Sequence, residues 1–193
     1  MNLTKIEIKN HIHTLPNGLT LVVSEMPHIH TVEIGMFVRA GLRFENENNN
    51  GVSHFLEHMM FRGNKNHPDS VSLSREFEKL GRDLRASTLG EYTYYGFSPH
   101  PSNLDHGMEL FADFFTDPNF ADIELERQII LEEYLEDLNA EGDNIDINNH
   151  ACKLLYDKNP LAWPTIGTEA TIKAIDEDML RDYFREYYIP QNM

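Results

Sequence analysis

The run from Gly51 to Arg62 constrains the fold of this chain more than any other segment. At about 100° per residue, Val52, Phe55, Leu56, Met59 and Met60 share one face of a helix, and His54, Glu57, His58 and Phe61 share the opposite one. A helix divided in this way must lay its apolar face on another layer, and the flanking sequence supplies strands for it. Ile12 to Leu15 and Leu19 to Ser24 flank Pro16-Asn17-Gly18, where the glycine can take the positive φ of a hairpin turn. Thr31 to Ala40 reads as a third strand, and Asp83 to Leu89 with Tyr92 to Ser98 as an antiparallel pair. Helical spacing returns at Ser70 to Leu80, stopping at Gly81, and then at Ser102 to Thr116, Asp122 to Leu138, Asp143 to Tyr156 and Asp176 to Tyr188. This order predicts an α+β fold, a largely antiparallel sheet with helices packed on it, as a single domain over 1–193.

Composition narrows the partners. The 193 residues are 40% hydrophobic, enough to bury one core. A formal net charge of −16 repels nucleic acid and anionic membranes and favours basic peptides. With Cys152 as the one cysteine, a disulfide framework and a cysteine-built zinc site are excluded, so any metal must be held by histidine and carboxylate. Met1 to Asn10 lacks the features of a signal peptide, and no apolar run reaches membrane-spanning length, so a cytoplasmic location is the expectation.

The chemistry gathers in His54-Phe55-Leu56-Glu57-His58. Two imidazoles one turn apart with a carboxylate between them are what a zinc ion needs for two nitrogen ligands and a neighbouring base. Two histidines on a solvated helix face would share that spacing. Further on, Glu126 and Glu133 lie two turns apart on one face, flanked by Ile129 and Ile130, where a carboxylate beside apolar surface seeks a metal or a cation. Glu132 and Glu136 point toward the polar side.

With those residues in place, the sequence resembles the inverzincin zinc peptidases, the family of pitrilysin, insulin-degrading enzyme and the β subunit of mitochondrial processing peptidase. The H-x-x-E-H order followed by Glu133 carries the resemblance, together with Gly51-Val52-Ser53, Met59 to Gly63, and Leu125-Glu126-Arg127-Gln128 leading into Leu131-Glu132-Glu133. Gly167-Thr168-Glu169 and the closing Tyr188 to Met193 extend it. The resemblance implies that His54, His58 and Glu133 bind one zinc, that Glu57 is the general base acting on a zinc-activated water, and that Glu126 supports the site from behind. It implies a metalloendopeptidase of unfolded peptides or oligopeptides, the substrate adding as a strand beside Leu84, Arg85, Ala86, Ser87 and Thr88. Where the family has Gly-Gly-x-Leu-Asn-Ala, this chain has Gly81-Arg82-Asp83-Leu84-Arg85-Ala86. The resemblance also implies a second homologous domain or subunit, with 1–193 as the N-terminal half lacking its last strand. A non-catalytic peptide-binding or assembly domain is the alternative that the same fold supports.

Other candidates have plainer readings. His11 with His13, and His28 with His30, alternate as exposed strand residues do; Tyr92, Tyr94 and Tyr95 suit strand packing; Trp163 suits a loop anchor; Asp143, Asn144 and Asp146 lack the full calcium-loop pattern. The polar face of the 51–62 helix, Phe61 included, is expected to point away from the domain's own core and to need a partner surface.

Overall fold

A computed structural model describes residues 8–193, so most of the Met1 to Asn10 stretch lies outside the described residues. Strands β1 (Lys9–Thr14) and β2 (Thr20–Glu25) form the hairpin, with Ile12 opposite Val22 and Gly18 at φ +93° in the turn. Strand β3 (Ile34–Val38) begins later than the sequence suggests. Helices α1 (Val52–Met60) and α2 (Ser70–Leu80) follow, then strands β4 (Arg85–Thr88) and β5 (Thr93–Phe97). Helices α3 (Leu104–Phe114), α4 (Ile123–Glu136), α5 (Ile147–Tyr156), α6 (Glu169–Ala174) and α7 (Glu177–Tyr187) complete the chain. The helical run expected from Asp143 starts only at Ile147, because Asp146 accepts from the Asn149 backbone N–H and caps the helix there. The short helix α6 was not foreseen; Thr168 and Thr171 form its capping box, and six residues are too few for a hydrophobic period to show.

The antiparallel strands fall into two sheets, β1-β2 and β3-β5-β4. Central β5 buries Thr93, Tyr95 and Phe97, whereas among the described residues β4 pairs only with β5 and leaves its other edge open. Every residue of β1 and β2 is exposed. Between the two sheets, the Met193 carbonyl accepts from the Thr20 N–H at 3.3 Å and the Asn192 carbonyl from the Arg39 N–H at 3.0 Å.

The core joins the apolar face of α1 to β5, α2, α3 and α7. Val52, Phe55, Leu56 and Met59 are fully buried, as the helical spacing predicts. Their neighbours include Tyr95, Phe97, Phe77, Phe114 and Leu180. Gly51 opens α1 at φ +92°, and a Cβ there would lie 2.5 Å from the Ile166 carbonyl, so only glycine allows that loop to cross the helix start. Among the described residues, no helix is long and apolar enough to cross a membrane.

Candidate active site

The start of α1 is fixed from a distance. The Glu45 carboxylate, 5% exposed, accepts from the Gly51 N–H at 2.8 Å, the Ser53 N–H at 3.1 Å, the Ser53 hydroxyl and the Asn50 amide. The first N–H groups of the helix thus find a carboxylate that also favours the positive end of its dipole. Ser53 Oγ lies 2.8 Å from the Tyr183 hydroxyl, which ties α1 to α7. This cap was invisible in the sequence, because its residue stands outside the local capping window.

The polar face of α1 meets α4. The two helices bring His54 Nε2 to 3.2 Å and His58 Nε2 to 3.4 Å from Glu133 Oε2. One nitrogen or oxygen atom from each of these three residues lies within 4.8 Å of the others. Edges of about 3.3 Å are what a tetrahedral zinc with bonds near 2.0–2.1 Å would impose on two nitrogens and an oxygen. On the far side of the His58 ring, Nδ1 lies 2.8 Å from Glu126 Oε1, and Arg62 donates to Glu126 Oε2. The sequence signal for Arg62 is its position one turn after His58 on the same helix face.

The expectation that this face points away from the domain's core is corrected by the structure. Helix α4 lies across it, leaving only 13% of the His54 and 21% of the His58 side chain exposed. Phe61 turns back onto the core, edge-on to Phe114. The apolar support beneath the two glutamates comes from Ile130, which is fully buried, while Ile129 is exposed. Glu132 and Glu136 are exposed, as the helical phase predicts, but Glu133 is exposed as well, and of these glutamates only Glu126 is buried.

Electrostatics follow from these contacts. Burial lowers the His58 pKa, but the hydrogen bonds to Glu126 and Glu133 outweigh it and raise the group to about 9. The bonds from His54 and His58 draw the Glu133 carboxyl far below the usual carboxylate range. Burial raises Glu126, yet His58 and Arg62 overcome this and hold it below its ordinary value.

Glu57 projects from the same face toward β4, where Thr88 Oγ1 donates to its Oε2. Below it, the buried Tyr95 and Tyr188 hydroxyls bond to each other at 2.7 Å, and burial pushes both well above their ordinary pKa. Arg85, Ala86, Ser87 and Thr88 form β4, while Leu84 stands just before it, packed against the core. Along this strand Ala86 and Thr88 are partly buried, and Arg85 and Ser87 are exposed. Arg85, in the position where the inverzincin pattern has Asn, turns outward to pair with Glu33.

A cleft of about 410 Å³ unites these parts. His54, Glu57, Ala86, Ser87, Thr88 and Glu133 line it, with Asp137, Asp146, Asn149 and the Thr165-Ile166 loop on its far side. The Thr165-Ile166 loop has no signal in the local sequence, because long-range contacts carry it there: Gly51 packs on the 166–167 backbone and the Asn50 amide donates to the Pro164 carbonyl at 3.1 Å. Of the remaining candidates, Asp146 lines the cleft and caps α5; His11 is exposed and pairs with Glu25 at 2.8 Å, and Tyr92 and Tyr94 pack on Phe37 on the outer side of the sheet.

Comparison with known proteins places the chain in a family. The profile of the insulinase peptidases (peptidase family M16) matches residues 20–169. An uncharacterized zinc protease of Bacillus subtilis, YmxG, is 31% identical over 94% of this chain and 44% of its own length. The β subunit of the mitochondrial processing peptidase of Saccharomyces cerevisiae is 32% identical over 90% of this chain and 37% of its own. Among solved structures, a protease from Helicobacter pylori superposes with a TM-score of 0.86 at 26% identity, covering 96% of this chain and 45% of that one. The chain therefore spans less than half the length of each. With its α+β fold, its H-x-x-E-H helix and these relatives, the chain belongs to the insulinase family of zinc peptidases, peptidase family M16.

Proposed function

We propose that this chain is the zinc-binding catalytic half-site of a metalloendopeptidase that hydrolyses unfolded peptides or oligopeptides. The observation that carries the reading is the convergence of His54, His58 and Glu133 beside Glu57 and the open edge of β4. The donor set suits zinc: two imidazole nitrogens and one carboxylate oxygen lie within 4.8 Å of one another, the oxygen 3.2 and 3.4 Å from the two nitrogens. In this reading His54, His58 and Glu133 hold one ion per chain, and Glu126 fixes the His58 ring through Nδ1 so that Nε2 faces the metal. When bound, the ion supplies the Lewis acidity that activates water and polarises a peptide carbonyl.

The protein's own groups do the rest. An extended substrate adds as a strand along β4, whose backbone hydrogen bonds bind it with little sequence demand. Glu57 takes the proton of the attacking water and returns it to the departing amine. Glu133, Asp137 and Asp146 along the cleft, and the net charge of −16, favour basic peptides. The whole protein is proposed to carry a second homologous domain that closes the cleft.

The test is zinc content and turnover of an unfolded basic peptide, measured on the full-length protein and on Glu57→Gln. The variant is expected to keep its metal and lose nearly all turnover. Wild-type activity in the variant would refute the mechanism, and zinc-loaded protein that binds peptide without cleaving it would favour the binding-domain alternative.

A further inference from the structure

Glu57 is a flexible side chain with three rotatable bonds, yet a general base must meet its water within a few tenths of an ångström. Among the described residues, the side chain that hydrogen-bonds to it is Thr88, whose Oγ1 donates to Oε2. The tyrosines beneath do not serve, since Tyr95 and Tyr188 are turned to each other. Thr88 itself is well fixed. It ends β4 opposite Thr93, which is fully buried and donates through Oγ1 to the Ala40 carbonyl at 3.0 Å. Its β-branch makes χ1 stiff in a strand, and the alternation of β4 turns it inward with Ala86, toward α1.

We propose that Thr88 is the positioning residue for Glu57, holding one carboxylate oxygen against the substrate-binding strand so that Oε1 is left free for the water proton. The strand on which a peptide docks thereby also sets the orientation of the base. This inference rests on the peptidase reading above, with Glu57 as base.

The test compares Thr88→Val, which keeps the branched shape and loses the donor, with Thr88→Ser, which keeps the donor, both in the full-length protein. Thr88→Val is expected to lower kcat by roughly tenfold to a hundredfold, with KM within about twofold and zinc content equal to wild type. Thr88→Ser should recover most of the rate. Wild-type kcat in Thr88→Val, an equal loss in Thr88→Ser, or a loss confined to KM would each overturn the role. Crystal structures give a readout independent of turnover: a Glu57 carboxylate that leaves β4 in Thr88→Val supports the proposal, and one that stays in place overturns it. Turnover that survives Glu57→Gln marks failure of the peptidase reading itself. Turnover lost in Glu57→Gln but intact in Thr88→Val removes only the role given to Thr88.

Discussion

Glu126 Oε1 lies 2.8 Å from His58 Nδ1, and Glu133 Oε2 lies 3.4 Å from Nε2 of the same ring, so one imidazole is held between two carboxylates of a single helix. The buried Glu126 holds Nδ1, and Nε2 on the other side of the ring lies toward Glu133. Glu126→Gln is therefore expected to weaken zinc binding about 10- to 100-fold while the ligand atoms remain. Competition against a chromogenic chelator reads this directly. Glu124→Gln, on the exposed side of α4, is the control that should leave affinity unchanged.

Neighbouring glutamates on α4 separate by helical phase. Glu133 reaches both imidazoles and Glu132 reaches neither. Glu133→Gln should abolish stoichiometric zinc, and Glu132→Gln should retain it, by elemental analysis after dialysis. Equal losses in both would mean that the carboxylate had been misassigned.

Removal of the metal should expose a pH dependence. His58 sits at about 9 against an ordinary 6.5, its bonds to Glu126 and Glu133 outweighing the burial that lowers it. Its contribution is fully present below pH 6.5 and is lost as pH rises through 9. Glu126 and Glu133 are depressed below 4.5, so theirs is present above that value and lost as pH falls. Chelator-treated protein should accordingly show its highest Tm between pH 4.5 and 6.5. The alkaline loss should be at most on the order of 3 kcal/mol, and zinc should flatten that limb, because ligation requires neutral imidazole. A chelated protein with constant Tm from about pH 6 to 10 contradicts the arrangement.

The distant cap of α1 predicts a stability effect without a change of ligands. Glu45→Gln keeps the shape but offers an amide N–H to groups that already donate, and it removes the charge from the helix start. A loss of roughly 2–4 kcal/mol is expected, read as a lower denaturation midpoint at unchanged slope. A change under about 0.5 kcal/mol would show that water substitutes for the carboxylate.

Residues 1–193 alone are expected to bind zinc and hydrolyse peptides poorly, since the cleft between α1, α4 and β4 is open to solvent and catalysis needs the carbonyl held with water excluded. Supplying the proposed second half in trans should raise the rate. Efficient cleavage by these residues alone, unaltered by the added half, would falsify the need for closure.

What the sequence determined by itself is what periodicity encodes. The division of α1 into an apolar and a ligand-bearing face, the phase that separates Glu133 from Glu132, the stop of α2 at Gly81 and the hairpin turn at Gly18 all follow from local spacing and backbone freedom. The closeness of α1 to α4, which makes a three-residue centre from separate segments, was legible only as a family resemblance. Tertiary structure alone decided the rest. Glu45 caps a helix whose start lies six residues away, Arg62 turns to Glu126, Thr88 reaches Glu57 from the end of a strand, and the Gly51 contact brings Thr165 and Ile166 to the cleft. Each depends on the rotation and separation of packed elements, which short-range spacing does not record, because burial fixes those quantities through the whole core at once.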